Sequence, residues 1–121
     1  ILQRTTNRRQ AKRLIAGYIP KSMIDEYGAL ISENHTIVVY PLPGVEQQAS
    51  YETMCQLLNS RPVDNRYRQI SGTVSVSVNL LKEIPFPPPI LIQKRLRDNL
   101  TAEDLDALVE DCYREAARFN R

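Results

Sequence analysis

Eight prolines cut this 121-residue chain into short stretches, and their positions constrain what each stretch can become. Proline locks φ and has no N–H to give to a ladder, so it closes a strand rather than continuing one. Pro20 closes the run Arg13-Leu-Ile-Ala-Gly-Tyr-Ile19, and Pro41 with Pro43 closes Thr36-Ile-Val-Val-Tyr40. The β-branched and aromatic residues of the second run make it the clearest strand in the sequence. Pro62 suits the start of a helix, because the first turn does not use the missing N–H. In Pro85-Phe-Pro-Pro-Pro89 each X–Pro step disfavours the helical region, so these residues are expected to be extended.

Between these stops, periodicity and capping define the other elements. Leu2 to Thr6 reads as a strand, followed by a polar, basic loop from Asn7 to Lys12. Ser50 can cap a helix running to about Leu58, with Met54, Leu57 and Leu58 on its apolar side. A second short helix spans Val63 to about Ile70 and breaks at Ser71-Gly-Thr73. Val74, Val76 and Val78 alternate with polar residues, the period of a half-buried strand. Leu80 to Ile84 allows a turn of helix before Pro85. Thr101, with Asp104 three residues on, forms a capping box with Asp in place of Glu. It opens a helix in which Leu105, Leu108, Val109, Cys112 and Ala116 recur at helical spacing. The expected fold is α+β: a single small domain over residues 1–121, with mixed or antiparallel strands, short helices and a C-terminal amphipathic helix.

With 42% hydrophobic and 25% charged residues, the composition excludes wholesale disorder, a collagen-like fibre and a disulfide scaffold. No stretch approaches the roughly 20 apolar residues of a membrane helix, so a cytoplasmic protein without membrane contact is expected. Cys55 and Cys112 lie far apart and read as two small buried hydrophobes in a reducing compartment. The glycines (Gly17, Gly28, Gly44 and Gly72) never form the G-x-G of a nucleotide-cradling loop. His35 is the single histidine, and the two distant cysteines do not complete a metal site around it. A Cys55–His35 nucleophile and base is a poorer reading than a core cysteine on an apolar helix face. No catalytic site is expected. The sequence opens on Ile1 in what reads as mid-strand, so a piece of a larger protein is expected.

The net charge of +2 conceals a segregated layout. Residues 1–21 carry +6, residues 22–60 carry −5, residues 61–97 carry +5 and residues 98–121 carry −4. Two basic blocks that meet on one face would make an anion-binding surface on a nearly neutral protein. Within the first block, Arg4-Thr-Thr-Asn-Arg-Arg-Gln-Ala-Lys-Arg13 interleaves cations with Thr, Asn and Gln. Arginine forks and amides pair bidentately with base edges, while Lys and Thr hold phosphates.

The order of several short blocks carries a resemblance. Leu2-Gln-Arg-Thr-Thr6, Arg13-Leu-Ile-Ala16 and Glu33-Asn-His-Thr36 come first. Leu57-Leu-Asn-Ser60, Val63-Asp64, Tyr67-Arg68, Ile70-Ser-Gly-Thr73, Val76, Leu81 and Ile84-Pro-Phe-Pro87 follow. Together they resemble the C-terminal target-recognition region of adenine-specific DNA methyltransferases from restriction–modification systems, and related patterns occur in type I specificity subunits. The matched blocks run from Leu2 to about Pro89. The family's catalytic Asn/Asp-Pro-Pro-aromatic motif is absent, as is its glycine-rich cofactor loop.

The resemblance implies a reader of double-stranded DNA whose methyl-transfer domain lies upstream in the same chain. S-adenosylmethionine then belongs to that domain, with no cofactor in this fragment. It makes Arg4, Arg8, Arg9, Lys12 and Arg13 a phosphate- and groove-facing set, with Asn7 and Gln10 as base readers. Asn34 and His35 precede the best strand and serve either a hydrogen-bonded turn or DNA contact. Arg66 and Arg68 lie two apart on a helix and point to different faces, so one of them is expected at the DNA. Ser71, Gly72 and Thr73 offer N–H and hydroxyl groups to a phosphate, or simply turn the chain. Two alternatives stand beside this reading: the recognition half of a type I specificity subunit, and a protein-interaction module using the proline run as an extended ligand.

Overall fold

A computed structural model describes residues 1–4, 12–28, 36–73 and 75–119. The fold is α+β, a single small domain in which a two-stranded antiparallel sheet packs with helices. Strand β1 (Leu2–Gln3) pairs with β2 (Thr36–Ile37), placing Leu2 opposite Ile37 and Gln3 opposite Thr36. On its other edge β1 meets residues 15–17. The Gly17 N–H donates to Ile1 O at 2.8 Å, the Gln3 N–H donates to Ile15 O at 2.9 Å, and Leu2 lies opposite Ala16. β1 is thus flanked on both sides.

Six helices follow among the described residues: α1 (Lys21–Tyr27), α2 (Tyr51–Asn59), α3 (Arg61–Ile70), α4 (Val78–Leu81), α5 (Pro89–Arg95) and α6 (Ala102–Phe119). The local chemistry accounts for their starts. Ser50 Oγ accepts from the Thr53 N–H at 3.1 Å and opens α2. Pro62 sits in the first turn of α3. Thr101 Oγ1 accepts from the Asp104 N–H at 3.1 Å and opens α6. Gly28, at φ 78°, ends α1 and donates its N–H to Ile24 O.

Three expectations change. The valine alternation does not run as a strand through Val78. Val76 is buried and donates its N–H to Arg4 O at 2.6 Å, but Ser77 Oγ then accepts from the Leu80 N–H and turns the chain into α4. Val74 lies outside the described residues. The proline run is extended only as far as Pro88, and Pro89 begins α5, where its missing N–H is not needed. The strand expected over Thr36–Tyr40 pairs only at Thr36 and Ile37 among the described residues, and 38–40 continue without a described partner. Thr5 and Thr6 of the first expected strand lie outside the described residues.

Helices α2, α3, α6 and α5 touch in a closed cycle, each packed on the next and α5 returning to α2. Leu57, Val63, Tyr67, Ile92, Val109 and Cys112 are fully buried in the resulting core, and Leu2 and Leu14 enter it from the sheet side. Polar ties join the helix ends. Gln93 Oε1 accepts from the Ser50 N–H and the Thr53 hydroxyl, and Asp106 Oδ1 accepts from the Arg61 N–H at 2.9 Å. The Tyr67 hydroxyl accepts from the Ser77 N–H at 2.9 Å, so a core aromatic also fixes the entry to α4.

One aromatic contact between α3 and α6 has a pH signature. Arg66 lies over the Tyr113 ring at 3.4 Å, and the Tyr113 hydroxyl donates to Pro85 O at 2.6 Å. Burial pushes the Tyr113 pKa up to about 12, and the Arg66 charge opposes the rise. The neutral phenol is therefore the form the fold favours. Its contribution is intact below about pH 10 and is lost as pH rises through about 12. Phenolate absorbance titrated in the wild-type chain and in Tyr113→Phe should differ by one transition near pH 12. A difference near pH 10 would contradict this packing.

Candidate nucleic-acid interface

Residues 12–16 carry the descending arm of the basic segment, and two side chains from the helical half hold them. Asp64, on α3, is 2% exposed. Its Oδ1 accepts from the Arg13 N–H at 2.8 Å and the Leu14 N–H at 2.7 Å, while its Oδ2 lies 3.0 Å from Arg68 Nε. Asn59, at the end of α2, treats Ala16 as a neighbouring strand would. Its Oδ1 accepts from the Ala16 N–H at 2.7 Å and its Nδ2 donates to Ala16 O at 2.8 Å. Lys12 Nζ donates to Asn59 O, closing the same junction. A buried carboxylate is tolerated only when its lone pairs are used, and here two backbone donors and a guanidinium use them.

The ascending arm is held as well. Gln3 is in the ladder, and Arg4 O accepts from Val76. By register, Gln3 lies beside both Ile15 and Thr36, so Arg4, Leu14 and Thr36 stand at one end of the sheet. The basic segment leaves the described frame after Arg4 and rejoins it at Lys12, and the stretch containing Asn34 and His35 rejoins at Thr36. Arg4, Lys12 and Thr36, the described residues that border these stretches, thus lie toward one end of the sheet.

The expected site residues divide accordingly. Arg4 is exposed at this end of the sheet. Lys12 and Arg13 are half-buried at the Asn59–Asp64 junction. Asn7, Arg8, Arg9, Gln10, Asn34 and His35 lie outside the described residues. Arg66 and Arg68 do point to different faces. Arg66 pairs with Glu110 at 3.3 Å, donates to Pro62 O and stacks on Tyr113, whereas Arg68 pairs with Asp64. Ser71 and Thr73 engage their own turn, the Thr73 hydroxyl donating to Ser75 O at 3.0 Å. Gly72 is exposed there. The structure therefore gathers Arg4, Lys12 and Arg13 at one end and sets Arg66 in a contact between helices.

Asn59 and Asp64 hold residues 13–16, and nothing in the sequence around Asn59 signals that part. A signal for Asp64 was present: an acid beside Val63 and one turn before Tyr67, on the apolar face of a short helix, needs a partner.

Burial pushes the Cys55 pKa up, against the Ile1 ammonium and a hydrogen bond from Asn59. It also pushes Cys112 up, against Arg95. Activated thiols are shifted the other way. Among the described residues, no group of His, Cys, Asp and Glu could hold a metal ion, and no helix is long and apolar enough to cross a membrane. Compared with known proteins, the chain matches no protein-family model, no curated protein sequence and no solved structure.

Proposed function

We propose that this chain is the DNA target-recognition module of an adenine-specific, S-adenosylmethionine-dependent DNA methyltransferase, and that it binds duplex DNA without catalysing. The observation that carries the reading is the doubly anchored basic segment. Its ascending arm is tied at Gln3 and Arg4, and its descending arm at Lys12, Arg13 and Leu14. Between the anchors stand Arg8 and Arg9, with Asn7 and Gln10 between and beside them. A cationic segment whose two ends are already fixed has less to order on binding, which lowers the cost. The order of sequence blocks that resembles the methyltransferase recognition region supports the same reading, and two of those blocks contain the anchors Asn59 and Asp64.

In such an enzyme the methyl donor and the chemistry belong to the catalytic domain. The reader supplies specificity and holds the duplex while a base is extruded, at a cost of a few kcal/mol of unstacking. Backbone contacts from the arginines set position, and Asn7 and Gln10 read base edges.

Titrating the chain with duplex DNA at several salt concentrations tests this directly. Weak binding that steepens as salt is lowered is expected, because each neutralised phosphate releases counterions. Binding that ignores salt, or no binding at low salt, overturns the proposal.

A further inference from the structure

Two arginines stand two residues apart on α3, and the fold gives them different neighbours. Arg66 turns toward α6: it pairs with Glu110, donates to Pro62 O and lies over the Tyr113 ring. Its side chain is 25% exposed, and its charge serves a contact between helices. Arg68 turns toward residues 13 and 14. Its Nε lies 3.0 Å from Asp64 Oδ2, and the other oxygen of that carboxylate accepts from the Arg13 and Leu14 N–H groups. One buried carboxylate therefore ties the Arg68 guanidinium to the backbone of the descending arm.

The chain beyond α3 leads to the ascending arm. After Ile70 it turns through residues 71–73 and reaches Val76, whose N–H donates to Arg4 O at 2.6 Å. In chain order Arg68 thus stands between Asp64, which holds one arm, and Val76, which meets the other. Asp64 is 2% exposed while the Arg68 side chain is 40% exposed, so the arginine is the member of the pair that meets solvent. Its charge also offsets the carboxylate, which would otherwise stand uncompensated beneath a basic segment. A guanidinium carries five N–H donors in a planar fork, enough for a carboxylate on one edge and a phosphate on another.

We propose that Arg68 is a phosphate-contacting residue of the duplex site, oriented by Asp64, and that Arg66 has no part in that site. The assignment rests on the DNA reading above and extends it to a cation that the helical half contributes.

The test is the salt dependence of duplex binding by the wild-type chain, Arg68→Gln and Arg66→Gln, with circular dichroism confirming that each is folded. Glutamine removes the charge and keeps an N–H donor for the old partner. Arg68→Gln should lower the slope of log K against log salt by about 0.9, the value of one phosphate contact, and Arg66→Gln should leave it unchanged. In the wild-type chain the Arg68 Nε–H resonance should shift as duplex is added, and that of Arg66 should not. This second measurement needs no substitution, so it decides the matter if Arg68→Gln does not fold. Wild-type binding with an unchanged slope in folded Arg68→Gln, or with an Arg68 resonance that stays in place, overturns the assignment and leaves the DNA reading standing. An equal loss of slope in Arg66→Gln does the same, because it marks an effect of net charge alone. Absence of wild-type binding at low salt overturns both.

Discussion

Asp64→Ala is expected to cost about 3 to 5 kcal/mol of stability and to lower the melting temperature by roughly 10 to 20 °C. The carboxylate is 2% exposed and serves the Arg13 N–H, the Leu14 N–H and Arg68 together. Alanine leaves two backbone donors without an acceptor, and water has little access to replace it. Leu14 is fully buried, so its N–H bears most of that cost. Asp64→Asn keeps one acceptor oxygen and loses the charge opposite Arg68, so about half the loss is expected. Chemical denaturation of the three proteins checks the ranking. A loss under about 1 kcal/mol for alanine would contradict the placement of this side chain.

Asn59→Ala is the second large effect, at about 2 to 3 kcal/mol, because it removes both an acceptor and a donor from Ala16. The Ala16 peptide is only part-buried, so water recovers some of what the amide supplied. Asn59 and Asp64 act on one short segment, and their effects should not add. Once either anchor is gone, residues 12–16 are already loosened, and the double variant should fall short of the sum by about 1 kcal/mol. Strict additivity in a double-mutant cycle would mean that the two side chains hold independent pieces of the fold.

These anchors also show where sequence reading ends. Helices α2, α3 and α6 were legible because each begins with a local device: Ser50, Pro62, and Thr101 with Asp104. Helix α1 was not, since no side chain caps its start and none of its residues is buried. Helix α5 was hidden by its own first residue: three successive prolines argue for extension, yet the last of them is well suited to a first helical position. The valine alternation stops at Val76 because the next residue, Ser77, caps a helix and overrides a period of two. The pairing of Leu2 with both Ala16 and Ile37 joins positions far apart in sequence, and no local pattern specifies it. At the candidate site the concentration of cations and amides in residues 4–13 was legible from composition alone. What holds them was not, because it depends on Asn59 and Asp64 meeting a distant strand.

In the proposed function the basic segment's charges meet DNA phosphates while the helical half holds its ends. The most direct measurement is the salt dependence of duplex binding by the wild-type chain and by Arg8→Ala/Arg9→Ala, with circular dichroism confirming that both are folded. Each lost phosphate contact lowers the slope of log K against log salt by about 0.9, so the double variant should lose about 1.8. An unchanged slope in a folded double variant would show that these arginines do not face the phosphates, and would contradict the account.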